Sequence, residues 1–306
     1  MNKNYSLYLL HAKIDAMSKF LNLDKIIQGE KNSHAQIRSY YRINHWAFRF
    51  FHSQDGFMHF RVSTKGFFTD EDVYYQPDVV SRYIKPGATV LELGFGQGAN
   101  ILYLAHSHPD VRFIGLDLFP PKKMKSNLPE NVTTYEQDYS DLSQFEDNSI
   151  DVMYAFETIV HNSDKEKIFR EVHRVLKPGG VIIIFDYALN DKLETYDAHI
   201  QKVVALISKG GASAMIESLA ELDGHYTNCG LDIEESNDLT REVLPDLKHL
   251  ERQAAKILTR PLLSRLMFWL LPEQFVSNII LGYLGYDSAN ADIGTFHEWI
   301  LRKPQQ

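Results

Sequence analysis

Apolar positions in this chain follow two rhythms. Short runs rich in Val, Ile, Leu and Phe read as buried strands: one opening at Thr89, then 111–118, 132–137, 150–157 and 181–187. Between them, apolar residues three and four apart predict helices over 99–107, 164–176 and 191–208. KPGG at 177–180 reads as a turn. Such alternation predicts a parallel, doubly wound α/β sheet whose site lies at the strand C-termini. Before this core, Leu7, Leu10, Ile14, Met17, Phe20 and Leu21 recur at helical spacing within 5–27. Tyr74, Tyr75, Val79, Val80 and Tyr83 give 71–85 an apolar side, and Pro86-Gly87 turns the chain into the first strand. After the core, 231–239 reads as a sixth strand and 295–302 as a closing, antiparallel one. Between them, Leu247, Leu250, Ala254, Ile257 and Leu258 mark one side of a helix over 241–258. The stretch 262–286 is strongly apolar but broken by Arg265, Pro272, Glu273 and Gln274, too broken for a membrane span. A lid, a homodimer face or a membrane-surface contact there are all open.

One stretch organises the rest: TVLELGFGQGANILYLAHSHPDVRFIGLD, Thr89 to Asp117. It is strand, glycine turn, helix, and a second strand ending in an acid. Gly94, Gly96 and Gly98 let the chain turn sharply and let a ligand approach the backbone, with amides at the next helix start facing it. Asp117 can accept the hydroxyl protons of a ribose. This spacing implies an adenosine-containing ligand, and NAD fits it as well as an adenosyl compound. Glu92, at the end of the first strand, separates the two. A carboxylate in the cleft repels a pyrophosphate and suits a cationic ligand with a free amino group; the plainer alternative is a carboxylate tying down a loop amide. No GKS or GKT follows, which argues against a phosphate-binding P-loop.

Composition narrows the partners. With 306 residues and 44% apolar content the chain can build one α/β domain with added elements. Its net charge of -8 is thinly spread, so nucleic acid is not an expected partner. The single cysteine, Cys229, excludes an internal disulfide framework, fits a reducing, cytoplasmic setting, and reads as a turn or core residue. Without CxxC or HExxH, no metal site is expected. MNKNYSLYLLHAKIDAM does not read as a signal peptide.

Residues 38–61 crowd together Tyr40, Tyr41, His45, Trp46, Phe48, Phe50, Phe51, Phe57, His59 and Phe60. Core packing uses such residues, and so does a cavity for an apolar substrate; aromatic faces also stabilise positive charge. Asp138, past the third strand, could accept an adenine amino proton or cap its own turn with Tyr139 and Ser140. Glu157 and His161 follow the fourth strand, and Asp186 and Tyr187 end the fifth. Three strand ends thus converge acids and a histidine on one cleft.

The residues carry a resemblance. IKPGATVLELGFGQGAN at 84–100 and FEDNSIDVMYAFETIVHNSDKEKIFREVHRVLKPGG at 145–180 resemble class I S-adenosylmethionine-dependent methyltransferases. DYALNDKLETYDAH at 186–199, NCGLDIEESNDLT at 228–240 and the terminal LRKP at 301–304 extend the likeness over roughly 35–304. Within that class the chain most resembles the sterol C-methyltransferase group and its small-molecule relatives. The resemblance implies a Rossmann-like seven-stranded sheet of order 3-2-1-4-5-7-6 with strand 7 antiparallel. The corresponding division is a helical cap and substrate-lining segment (1–83), then a cofactor-binding domain (84–306) with a helical lid at 241–290. It implies S-adenosyl-L-methionine as cofactor, S-adenosyl-L-homocysteine as product, and methyl transfer to a small, apolar acceptor. Glu92, Gly94, Phe95, Gly96, Gln97, Gly98 and Asn100 would surround the methionine moiety. Asp117 and Leu118 would border ribose, Asp138 and Tyr139 adenine, with Phe156 beside them. Glu157 and His161 fall on the family's acid and histidine near the transferred methyl. Members attack the methyl sulfonium with an alkene and then lose a proton. Tyr40, Tyr41, Trp46 and Phe60 could stabilise the cation, with Tyr187 and Phe268 also lining the acceptor. Glu157, His161, His59 or His45 could take the proton. Phe95 stands where that group has cysteine, and Asp117-Leu118-Phe119 departs from its asparagine-rich version. A terpenoid, polyketide or other lipid-like acceptor therefore suits the motifs as well as a sterol. Methylation at oxygen or nitrogen, an NAD-dependent oxidoreductase, and a non-catalytic binding protein are the alternatives.

Overall fold

The computed structural model describes residues 2–28, 56–126, 128–213 and 216–305. Seven strands form one sheet: β1 (Thr89–Leu93), β2 (Arg112–Asp117), β3 (Val132–Glu136), β4 (Ile150–Phe156), β5 (Leu176–Leu189), β6 (Asp232–Asp238) and β7 (Gly294–Arg302). Their order is β3-β2-β1-β4-β5-β7-β6, with β7 antiparallel to both neighbours. This is the architecture expected. β5 differs in starting at Leu176, five residues early. KPGG does not leave the sheet: Leu176 pairs with Ile150, the register shifts, and Val181 pairs with Val152. Gly179, at φ 77°, accommodates that irregularity.

Side-chain alternation along the strands builds two cores. Val90, Phe113, Val152, Tyr154, Phe185 and Ile300 face α3 (Tyr75–Ser81) and α4 (Ala99–Ser107). Leu91, Leu93, Ile114, Met153, Ile184 and Trp299 face α5 (Lys165–Val175), α7 (Leu219–Asn228) and the turns beside them. In α5, Asp164 caps the start by accepting from the Lys167 amide at 3.0 Å, and Ile168, Phe169, Val172 and Val175 meet the sheet. Helix α7 has no counterpart among the sequence expectations. Yet Ser218 and Glu221 form a capping box, a signature visible in sequence. Cys229 follows it, half-buried, with its Sγ 3.5 Å from the Glu166 carbonyl.

A third core lies beyond the ends of β5 and β7. There α1 (Lys3–Ser18) and α2 (Leu23–Gln28) pack with α6 (Ala198–Gly210), α8 (Thr240–Leu258) and α10 (Glu273–Asn290). The apolar stretch 262–286 divides into α9 (Pro261–Leu270) and α10, because Pro272 ends one helix and opens the next. Among the described residues no helix is long and apolar enough to cross a membrane.

Candidate active site

The glycine turn after β1 is bent by backbone geometry. Gly94, Gly96 and Gly98 take φ of 75°, 53° and 80°, which other residues adopt only under strain. A Cβ on Gly94 would run into Thr158, and one on Gly98 into Met124. The turn's amides are committed to the end of β2. Gly94 and Phe95 donate to the Leu116 carbonyl at 2.8 and 3.2 Å, and Gly96 donates to Asp117 Oδ2 at 2.8 Å. The amides expected to face a ligand are those at the start of α4, which begins at Ala99, after these three positions.

Glu92 also requires correction. Its side chain shares a face with Val90, the face that α4 covers, so it points beneath the turn rather than into the cleft. It is 2% exposed and accepts the Tyr154 hydroxyl at 2.9 Å. Burial pushes its carboxyl up to about 8, against hydrogen bonds from Tyr154, Asn100 and the Ile101 amide that pull it down. Glu92 thus serves the first turn of α4, the plainer of the two roles open to it.

Asp117 ends β2 as expected, with Oδ1 accepting from the Phe119 amide at 2.7 Å and Oδ2 from Gly96. Burial raises its pKa. Each oxygen keeps a second lone pair, so a ribose diol fits beside the amides already bound. Leu118 follows it, partly exposed. Asp138 caps its own turn, accepting from the Ser140 amide at 2.8 Å. Tyr139 is buried and donates to the Thr158 carbonyl at 2.7 Å, which ties the third strand end to the fourth.

The ends of β4 and β5 hold the titratable groups. Glu157 sits at φ 50° and its Oε1 accepts from the Phe60 amide at 2.5 Å. Burial pushes its carboxyl well above the usual range. His161 has Nδ1 at 3.2 Å from the Ala212 carbonyl; a carbonyl only accepts, so Nδ1 donates and Nε2 is the basic nitrogen. Burial lowers His161 to about 4, so the ring is neutral near pH 7. Asp186 accepts from the amides of Val160 at 3.0 Å and Tyr187 at 2.9 Å and so positions the turn that carries His161. His59 is buried with both ring nitrogens against oxygens: Phe60 carbonyl at 3.1 Å and Asn100 Oδ1 at 3.0 Å.

Glu157, His161 and His59 open onto one of two adjoining cavities, which Asp186 does not reach. The first, about 830 Å³ and partly open to solvent, lies on the glycine turn; Gly94, Phe95, Gly96, Gln97, Asn100, Phe156, Glu157, His59 and His161 line it. The second, about 640 Å³ and likewise partly open to solvent, lies between the sheet end and helices α6, α8 and α10. Phe60, Tyr187 and Leu281 line both. Among the described residues none lining the second cavity is charged, and Val204, Ile207, Val243, Leu247, Gly285 and Ala289 are part of its wall. Sequence reading missed these. The available signal was Gly285 and Ala289 one turn apart in an apolar helix, where missing side chains leave room. Phe268 lines neither cavity: on α9 it packs against the third core. Gly98 lies outside the lining and Ala99 inside it. Tyr40, Tyr41, His45 and Trp46 lie outside the described residues. Among the described residues no cluster of His, Cys, Asp and Glu is arranged to hold a metal.

Residues 91–184 match the family described as Methyltransferase domain. Phosphoethanolamine N-methyltransferase 3 of Arabidopsis thaliana is 34% identical over 142 residues, 44% of this chain and 27% of that protein. Sterol 24-C-methyltransferase of Pneumocystis carinii is 27% identical over 173 residues, 53% of this chain and 44% of that protein. The chain thus spans less than half the length of either relative. The solved cyclopropane synthase of Mycobacterium tuberculosis superposes with a TM-score of 0.69 at 14% identity, covering 90% of this chain and 100% of that one. Residues 91–184 thus match a methyltransferase domain, part of the chain is similar to small-molecule methyltransferases of more than one kind, and the fold is shared with the cyclopropane synthase. The sterol enzymes are among these but do not stand apart from the others.

Proposed function

We propose that this chain transfers a methyl group from S-adenosylmethionine to a small, apolar acceptor, at carbon. The observation that carries this reading is the cavity of about 640 Å³, without charged lining among the described residues, joined to the glycine-turn cavity through Phe60, Tyr187 and Leu281. The residues fit the cofactor: bare backbone at Gly94 and Gly96, and a carboxylate at Asp117 with acceptor capacity left for a diol. When bound, S-adenosylmethionine supplies an electrophilic methyl on a sulfonium, so the protein's tasks are alignment, exclusion of water and handling of the proton.

Phe60 and Tyr187, at the junction, present rings where positive charge would arise after an alkene attacks. A proton next to a carbocation is strongly acidic, so a weak base suffices. His161, neutral and held at about 4, is such a base. Deprotonating an alcohol would call for a stronger one. Glu157 borders the same cavity, and its carboxyl holds a proton tightly for an acid. His59, buried between the Phe60 carbonyl and the Asn100 side chain, forms wall rather than base. The phosphoethanolamine relatives raise nitrogen as a rival target. Among the described residues the cavity wall offers a phosphate hydroxyls but no cation, which favours the apolar acceptor.

The test is product analysis with carbon-13 methyl-labelled S-adenosylmethionine and two acceptor panels, isoprenoid alkenes and phosphoethanolamine. The expected product carries label on an alkyl carbon from the alkene panel alone. Label on nitrogen or oxygen would overturn the carbon assignment.

A further inference from the structure

Helix α9 is docked by one face and bare on the other. Ser264 is buried, its hydroxyl donating to the carbonyls of Ile257 at 2.8 Å and Arg260 at 3.1 Å, while Phe268 and Leu271 pack on the third core. Opposite them Leu262, Leu266, Trp269 and Leu270 are 82%, 54%, 81% and 62% exposed among the described residues. Their spacing of four, three and one puts them in a single stripe, about 12 Å long. The charge around this stripe opposes that of the whole molecule. From Arg252 to Pro272 the chain carries Arg252, Lys256, Arg260 and Arg265, all exposed, and no acidic residue, in a protein of net charge -8.

We infer that the Leu262–Leu266–Trp269–Leu270 face of α9, with its flanking cations, docks on the surface of an anionic lipid bilayer. Apolar side chains would enter the headgroup boundary, Trp269 would lie at the interface, and the four cations would meet lipid charge. A second copy of this chain is the poorer occupant. A two-fold contact through the stripe would set the same four cations against each other. The chain runs on through Leu271 and Pro272 into α10, whose Leu281 and Gly285 wall the apolar cavity. Docking would thus hold the cavity's helix at a surface where apolar molecules collect. The inference goes beyond the methyl-transfer reading and is tested without acceptor or cofactor.

The experiment is co-sedimentation of the full chain with phosphatidylcholine vesicles, pure or containing about one-third phosphatidylglycerol. Binding should be about tenfold or more tighter with the anionic lipid and should weaken as salt rises. Leu262→Glu with Trp269→Glu should reduce it about tenfold or more, leaving the thermal midpoint unchanged because both sites are exposed. Arg260→Glu with Arg265→Glu should cost about fivefold per charge and flatten the salt dependence. Failure to bind either vesicle, or equal binding by the Leu262/Trp269 variant, would overturn the inference. So would a fall in that variant's thermal midpoint, which would mean that the chain itself covers the stripe. A dimer of the wild type that the same variant abolishes, without vesicle binding, would assign the stripe to a second copy.

Discussion

The two cavities sit side by side but are built from different materials. The glycine-turn side is shaped by backbone: three left-handed glycines, amides committed to β2, and a carboxylate tucked under α4. The cap side is shaped by side-chain volume and by charges buried between helices. Lys13, on α1, reaches Glu251 Oε1 and Asp287 Oδ2 at 2.7 Å each, and donates to the Tyr283 carbonyl at 2.6 Å. Its ammonium also stands 4.2 Å from the centroid of the Tyr283 ring. Arg61 gives its amide to Asp246 at 3.1 Å and pairs with it at 3.5 Å, fixing the segment that carries His59 and Phe60 to α8. A cofactor common to many enzymes can be met by one backbone shape. An acceptor peculiar to few needs a wall that can change residue by residue, held in place by contacts far along the chain.

The largest expected effect attacks the cap. Lys13→Met removes the cation from the buried Asp287 carboxylate and leaves the part-buried Glu251 to Lys248, and stability should fall by about 3–5 kcal/mol. Urea unfolding of the variant and wild type measures this directly. A loss under about 1 kcal/mol would show that apolar packing holds the cap without the ion cluster, and the contrast drawn above would fail on that side.

A smaller effect is expected on the sheet side. Gly94→Val puts a branched side chain at φ 75° against Thr158, so the turn must open. Affinity for S-adenosylhomocysteine, measured by calorimetry, should drop about a hundredfold, near 2.8 kcal/mol. Affinity within threefold of wild type would mean that the turn's shape does not set the cofactor end.

The same contrast explains what was legible in the sequence. The strand-and-helix alternation, the glycine turn and Asp117 are local patterns, and they lie where the pattern places them. Glu92 was misplaced because strand parity decides its direction: it shares the Val90 face, under α4, although its position at the strand end suggests the cleft. Phe268 was misplaced because an apolar helix carries several faces and sequence does not say which one meets the cavity. Lys13 was visible as an anomaly, a lysine among Leu10, Ile14 and Met17 on one helical face. Its partner Glu251 lies 238 positions away, and no local rule connects the two. The apolar cavity had the faintest trace, because a void is written as the absence of side chains at Gly285 and Ala289.

The smallest effect concerns Glu92, beneath the glycine turn. If its carboxyl touched the cofactor's amino group, Glu92→Gln would weaken S-adenosylhomocysteine binding tenfold or more. Since it lies beneath the turn, the expected loss at pH 7 is under about threefold. Stability should tell the same story through pH. Burial raises this carboxyl in the folded protein from 4.5 to about 8. A group raised on folding gives its full stabilisation below its unfolded value, and loses it as pH rises through the folded value. Asp186, raised to about 7, has the same sign, and His161, lowered to about 4, the opposite one. The difference between Glu92→Gln and wild type therefore isolates Glu92. The two proteins should differ least near pH 5, and the variant should gain steadily on wild type up to about pH 8. Parallel stability curves across that window would place the Glu92 carboxylate in water, and the cleft would have to be redrawn with Glu92 inside it.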